Sequence, residues 1–531
     1  MACSSGTTDY DADNDGLIEV CSLQQLDAIR HDLDGNGVVD VYPTRMRHVF
    51  PTKGWTGRLA SDFSPEERAR IYGAAFPGAM LGMGCPVSGC TGYELMRNLD
   101  FDQNGIDGFD GGVVDSQGNV TTAADPYWNE GRGWLQIMGQ SYEGWNHGWK
   151  DEYCSYAARG SYYPSSIQYS LSRKFTAIFE GNGHTIANLN MNRGEFSNCV
   201  GLFGYVGPGG EIRNVGLIGD GTVSGHQRVG ALVAVLESGT VSGSYSHIDV
   251  EIPIYWRVGG LVGLMTGTAT VHESYATGEV SGGFGAVGGL VGMLAPMFGP
   301  AQITASFATG DVRGWGGEGV GGLVGYQTPT QVALNRGGIP SDWHPLTSSI
   351  IASYATGNVT TYRRDHPGVV SKSVLGALVG TMDQPGREFQ APSELKVTGS
   401  YATGTATTNS WGVTLGGLIG DCPRNDSKVD ASNTYWQVPG TDLNVGKRGG
   451  NNCGWSGKTA SDLQTPTGYT GIFSTWNVDV DFDGTTDNPW DFGTSSQYPI
   501  LDYCAPKPGI DLSWDMNRTQ YCPLREYNQR Q

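Results

Sequence analysis

One short glycine–leucine block, repeated seven times, sets the terms for any fold this chain can adopt. Val-Gly-Gly-Leu-Val-Gly stands at 258–263, 287–292 and 320–325, with variants around Leu202, Leu232, Leu378 and Leu418. The marker leucines follow one another at 30, 29, 29, 33, 55 and 40 residues. A second block, Ser-Tyr-Ala-Thr-Gly, alternates with it at 274–278, 353–357 and 400–404, with Ser306-Phe307-Ala308-Thr309-Gly310 and a degenerate Ser244-Tyr245-Ser246 in register. A period near 30 residues marks a stacked repeat rather than a closed globular core.

The units are β-branched and punctuated by glycine, their apolar runs are short, and none shows a 3.6-residue period long enough for a helix, so they read as strands. Two or three such strands cannot bury an apolar face alone; neighbouring units must stack along one axis. The predicted fold class is therefore all-β, a parallel β-helix or β-solenoid. Its marker leucines point inward, and its glycines serve tight corners through positive φ or close approach of adjacent coils. The stretched intervals, such as 327–347 with Pro329, Pro340 and Pro345, read as loops extruded from a corner, where a solenoid carries its specificity.

Four regions follow. Residues 1–95 form an acidic N-terminal region with calcium loops and a short helix at 64–75, opened by Ser64 and Pro65. Residues 96–200 form an aromatic-rich cap and the first solenoid strands, 201–435 the repeats, and 436–531 a C-terminal cap. This last region holds a calcium loop and is stapled by disulfides drawn from Cys453, Cys504 and Cys522.

Charge and cysteine content narrow the function. The chain has 33 basic against 53 acidic residues, a net charge of −20, which excludes nucleic acid as a main partner. No run of 18 apolar residues is present to form a transmembrane helix. The ten cysteines are even in number and include the local pair Cys85 and Cys90 but no CxxC; this reads as disulfides in an oxidising compartment, extracellular or on an outer membrane surface. Ala2-Cys3 followed by small residues resembles a lipoprotein cleavage site. A lipid anchor at Cys3 is the alternative, and it would leave nine cysteines to pair.

An aspartate ladder with glycine at its sixth position occurs four times. Asp11, Asp13, Asp15 and Gly16 are followed by Glu19; Asp32, Asp34, Asn36 and Gly37 by Asp40; Asp100, Asp102, Asn104 and Gly105 by Asp107; Asp479, Asp481, Asp483 and Gly484 by Asp487. Ca2+ takes six to eight oxygens, and this spacing wraps side chains around one hemisphere while the glycine permits the turn. None has glutamate at position 12; Ser22 falls there in the first loop. These resemble the looser loops of extracellular modules, with modest affinity and a structural role, and the alternative is an acidic turn holding no ion.

Ten Trp or Tyr residues crowd 127–163, a density suited either to glycan stacking or to closing an open apolar end. Trp128, Trp134, Trp145, Trp149 and Tyr153 are the candidate ligand-binding residues. No catalytic residue is assigned. The densest polar cluster in the repeats is His226, Arg228, His247, Asp249, Glu251 and Arg257, read first as a solvated face and otherwise as the acid–base set of a polysaccharide-active enzyme.

The alternation of Gly-Gly-Leu-Val-Gly with Ser-Tyr-Ala-Thr-Gly resembles the GLUG-motif repeats of bacterial secreted and surface proteins. Cys90-Thr-Gly-Tyr-Glu-Leu, Phe179-Glu-Gly-Asn-Gly-His-Thr-Ile and Trp490-Asp-Phe-Gly are similar to segments that accompany them, so the likeness spans about 85–501. The resemblance implies a surface-exposed β-helix associated with adhesion and supplies no catalytic residues. The expected function is a calcium-stabilised structural or adhesive surface protein whose partner is a glycan, a surface protein or further copies of itself in a filament. The alternative is a lyase or glycoside hydrolase on the same scaffold.

Overall fold

The computed structural model describes residues 11–39, 85–86, 89–103, 133–138, 174–193, 198–252, 256–296, 299–328, 346–361, 373–382, 394–408, 413–421, 428–438 and 457–504. It also describes 69, 75–76, 113–114, 117, 120–122, 125 and 127. Outside them lie Cys3, Cys453, Cys522 and, but for Ala69 and Ala75, the expected helix at 64–75. Ala69 and Ala75 are both helical.

The chain winds as a parallel β-helix with four faces. One coil runs through Glu211–Arg213 on a first face, Gly216–Ile218 on a second, Thr222–Ser224 and Gln227–Gly230 on a third, and Val233–Glu237 on a fourth. The next coil returns to the first face at Thr240–Ser242. Among the described residues the first and second sheets have ten strands each, the third twelve and the fourth six. Their pairing is parallel and in register, as in Ile212 to Val241 and Val271 to Ile303.

The repeat residues account for this winding. Leu232, Leu261, Leu290, Leu323, Leu378 and Leu418 are buried in one continuous core. Their amides bond from coil to coil, Leu290 N to Leu323 O at 3.0 Å and Leu323 N to Leu378 O at 2.8 Å. The ladder is kept across the long interval between Leu323 and Leu378: the fourth-face strand Val324–Gln327 is followed, among the described residues, by the first-face strand Thr347–Ile351; 329–345 lie outside the described residues. The first glycine of the block is needed for close approach rather than for its φ. A Cβ on Gly288 would lie 2.0 Å from Val291 O and 2.6 Å from Gly325 N.

The Ser-Tyr-Ala-Thr-Gly block makes the corner between the first and second faces. Its serine is buried, and its oxygen accepts the amide of the serine one coil before: Ser244 N to Ser274 Oγ at 3.2 Å, Ser274 N to Ser306 Oγ at 3.1 Å, Ser306 N to Ser353 Oγ at 3.2 Å, Ser353 N to Ser400 Oγ at 3.0 Å. Its tyrosine points outward and stacks. Tyr245, Tyr275, Phe307, Tyr354 and Tyr401 form a column with ring centroids 4.9, 4.6, 4.7 and 5.1 Å apart.

Two features correct the expected boundaries. Leu17–Val20 and Gly92–Leu95, placed by sequence in a separate acidic region, are the first rungs of the first sheet, in the order Leu17–Val20, Gly92–Leu95, Ile178–Glu180. A helix at Leu23–Ala28, N-capped by Ser22, follows the terminal strand, and its Leu23 and Leu26 enter the main core. The C-terminal segment adds Gly457–Lys458 as the last strand of the second sheet among the described residues and then packs against the tyrosine column. Leu463, Phe473, Trp476, Trp490, Tyr498 and Leu501 share an apolar cluster with the tyrosine column, because that column is too large an outward apolar stripe to leave in water.

Candidate metal centre

Three of the four aspartate loops share one backbone. In the first, Gly16 N donates to Asp11 Oδ2 (3.1 Å), Asp15 N to Asp13 Oδ1 (3.2 Å), Leu17 N to Asp15 Oδ1 (2.8 Å) and Ala12 N to Glu19 Oε1 (3.4 Å). In the fourth, Gly484 N donates to Asp479 Oδ2 (3.1 Å), Asp483 N to Asp481 Oδ1 (3.2 Å), Thr485 N to Asp483 Oδ1 (2.7 Å) and Val480 N to Asp487 Oδ2 (2.9 Å). The second repeats the pattern with Gly37 N on Asp32 Oδ2 (2.9 Å), Asn36 N on Asp34 Oδ1 (3.3 Å) and Val38 N on Asn36 Oδ1 (2.7 Å). In each loop positions four and six take positive φ: Asn14 and Gly16, Gly35 and Gly37, Phe482 and Gly484. This double left-handed kink folds the loop around its own acids.

The result is a concentration of like charge. One carboxylate oxygen from each of Asp11, Asp13 and Asp15 lies within 4.8 Å of the others, and the same holds for Asp479, Asp481 and Asp483. Asp11 is fully buried, and its carboxyl pKa is raised, first by desolvation and then by Asp15 and Asp13, against the Gly16 amide. Oxygen-only donors at this spacing fit a hard divalent cation such as Ca2+.

The other two loops are engaged by the protein itself. Asp32 Oδ2 also accepts from the Tyr93 hydroxyl (2.8 Å), and Asn36 Nδ2 donates to Asp34 Oδ2 (3.0 Å); Asp40 lies outside the described residues. Asp100 Oδ1 accepts from Asp102 N (3.0 Å) and Asn188 Nδ2 (2.8 Å), and Asn104 lies outside the described residues.

Beside the first loop stands a column of acids that sequence reading missed. Glu19, Glu94 and Glu180 are register partners on successive rungs, and all three are buried. Glu180 is neutralised by Arg213 Nε at 2.6 Å and held by Asn214 Nδ2. Glu94 takes Asn182 Nδ2 on Oε2 at 2.7 Å. Its pKa is raised to about 7 by burial, opposed by the Asn182 bond, with Asp15, Asp13 and Glu19 raising it further. Register was the missing signal: nothing in a linear reading pairs Glu19 with a residue 75 positions away.

The aromatic candidates fare differently. Trp134 is fully buried, with Phe101 at 5.2 Å, Tyr127 at 4.9 Å and the Arg30 guanidinium 5.3 Å from its ring. It packs the N-terminal end and offers no face to a sugar, which corrects its assignment as a ligand-binding residue. Trp128, Trp145, Trp149 and Tyr153 lie outside the described residues.

Four members of the polar cluster in the repeats have these partners. His226 Nδ1 meets Asn198 Oδ1 (3.1 Å), His247 Nδ1 meets Thr277 Oγ1 (2.9 Å), Arg257 Nε faces Met293 Sδ (2.6 Å) and Asp249 Oδ1 accepts from Glu279 N (2.7 Å). Asp249 and Glu251 are exposed, whereas Arg228 and Arg257 are buried.

No model of a known protein family matches the chain. Halomucin of Haloquadratum walsbyi is 30% identical over 148 residues, a match covering 22% of this chain and 2% of halomucin, so the chain spans only a small part of that relative. Among solved structures, a crystal structure from Bacteroides ovatus, of a protein provisionally assigned as an immunoglobulin A1 protease, aligns over 77% of this chain and 85% of that one. The TM-score is 0.38 and the identity 18%.

Proposed function

We propose that this chain is an exported, calcium-stabilised β-helix of the GLUG-repeat kind that serves a bacterial surface as a structural or adhesive element. The observation that carries the reading is the pair of aspartate loops with matching hydrogen bonds, one at the first rung and one in the C-terminal segment, each gathering three carboxylates within 4.8 Å. Millimolar calcium outside the cell suits loops of this modest ligand count. The Cys85–Cys90 disulfide supports an oxidising location. Adhesion then resides in the long intervals between the repeat blocks and the aromatic region 127–163, with a glycan or surface protein as partner.

Glycan-array binding in calcium and then in EDTA, run beside an assay for released reducing ends and unsaturated uronates, tests this. Binding that is lost in EDTA without product supports the adhesive reading. Product formation overturns it and returns attention to Asp249, Glu251 and Arg257. Silence in both assays removes glycan adhesion and leaves a structural role, read as calcium-dependent filaments by sedimentation.

A further inference from the structure

The first aspartate loop lacks the closing carboxylate that a twelve-residue calcium loop carries at its last position. Ser22 occupies that position and is spent elsewhere: its Oγ accepts the Gln25 amide as the N-cap of the helix Leu23–Ala28. The loop's own acids are therefore Asp11, Asp13, Asp15 and Glu19, with no carboxylate at the twelfth position.

Glu94 lies on the adjoining rung. Its Cα is the register partner of Glu19 on the adjoining rung, its side chain is 4% exposed, and its Oε1 is buried with no hydrogen-bond partner among the described residues. A buried carboxylate oxygen without a donor is costly. The groups that act on it electrostatically are further acids, Asp15, Asp13 and Glu19. The other oxygen is fixed by Asn182, whose own amide is anchored on Glu180 Oε1 at 2.7 Å. Glu94 is thus held in place, with one oxygen left over, beside a cluster of like charge.

We propose that Glu94 is a ligand of the cation held by Asp11, Asp13, Asp15 and Glu19, so that the ion bridges two coils. The inference rests on the calcium reading above and extends it: the metal becomes a clamp between rungs rather than a local turn stabiliser. Among the described residues Leu17–Val20 is the terminal strand of the first sheet, paired on one side with Gly92–Leu95. A bridge from its loop to Gly92–Leu95 fastens the edge from which a solenoid would otherwise fray.

The test is calorimetric titration of the chelator-stripped full chain with Ca2+, in a background carrying Asp479→Asn and Asp481→Asn to silence the C-terminal loop. Glu94→Gln should weaken the remaining site by about ten- to a hundredfold. Glu211→Gln, which removes the same charge from the first sheet away from the loop, should leave it unchanged. Equal affinity in Glu94→Gln and its parent overturns the bridge while leaving the calcium loop standing; no binding in the parent overturns both. If Glu94→Gln loses its strand signal in circular dichroism, Glu94→Asp replaces it, the shorter reach again expected to weaken binding.

Discussion

The backbone amide of Ser274 donates to the hydroxyl oxygen of Ser306, one coil further along, at 3.1 Å. The same hydroxyl donates to Thr304 O at 2.7 Å, and the residue before it, Ala305, has φ of 45°. A left-handed alanine is unfavourable, and the serine ladder compensates by satisfying two buried backbone groups at each corner. Ser306→Ala should lower the unfolding free energy by about 1–3 kcal/mol, measured by urea unfolding. Ser306→Thr should lose less, because Thr434 already fills the equivalent place in a later coil and directs its Oγ1 to the carbonyl two residues before it, Ser432 O, at 3.4 Å. Equal losses in the two variants would count against the ladder.

Trp476 is fully buried, stands 6.1 Å from both Tyr401 and Tyr435, and donates through Nε1 to Asn433 O at 2.7 Å. It is the main wedge by which the C-terminal segment grips the tyrosine column. Trp476→Ala should cost about 3–5 kcal/mol, confined to that grip. Proteolysis of 457–504 should accelerate and dye binding to the bared column should appear, with the strand signal of the coils retained. Collapse of the strand signal would show the segment to be integral to the coils.

What the sequence disclosed and what it hid follow from where the information resides. Leu261, Leu290 and Leu323 were legible as core because period and burial coincide, and the block glycines because only close coil packing needs them in every unit. The tyrosine of the second block was visible as a marker but not as an outward stack, since a two-residue strand shows no alternation. Leu17–Val20 and Gly92–Leu95 were missed as rungs because they carry neither block. The aspartate loops were legible because their acids are close together in sequence. Glu94 was not, because its role depends on register between rungs. Trp134 was misread because aromatic density looks the same for a packed end as for a binding face.

His247 tests the interior of the repeats by pH. Its ring stands 5.4 Å from Tyr245 and 6.1 Å from Tyr275 and bonds Thr277 Oγ1; burial lowers its pKa from 6.5 to about 4. Between these values the unfolded chain binds a proton that the folded chain does not, so stability falls as pH drops from about 6.5 towards 4 and is unaffected above that window. Wild type should therefore lose more unfolding free energy than His247→Gln between about pH 7 and pH 5, other titrating groups cancelling in the comparison. Identical losses would place His247 in water.

Phe482 occupies the fourth position of the C-terminal aspartate loop at φ of 64° and is 45% exposed. Asn14 and Gly35 hold the same left-handed position in the other two loops, and both residue types tolerate it where phenylalanine does not. The Phe482 amide bonds Asp479 Oδ1 at 2.6 Å, a contact any L-residue retains. Phe482→Asn should therefore leave the carboxylate cage intact and raise stability by about 1 kcal/mol, read as a higher urea midpoint in calcium-free buffer. The metal-free loop should gain most, because there nothing else offsets the strained turn and the repulsion of Asp479, Asp481 and Asp483. A lower midpoint would mean that the ring makes a contact whose loss outweighs the relief of strain.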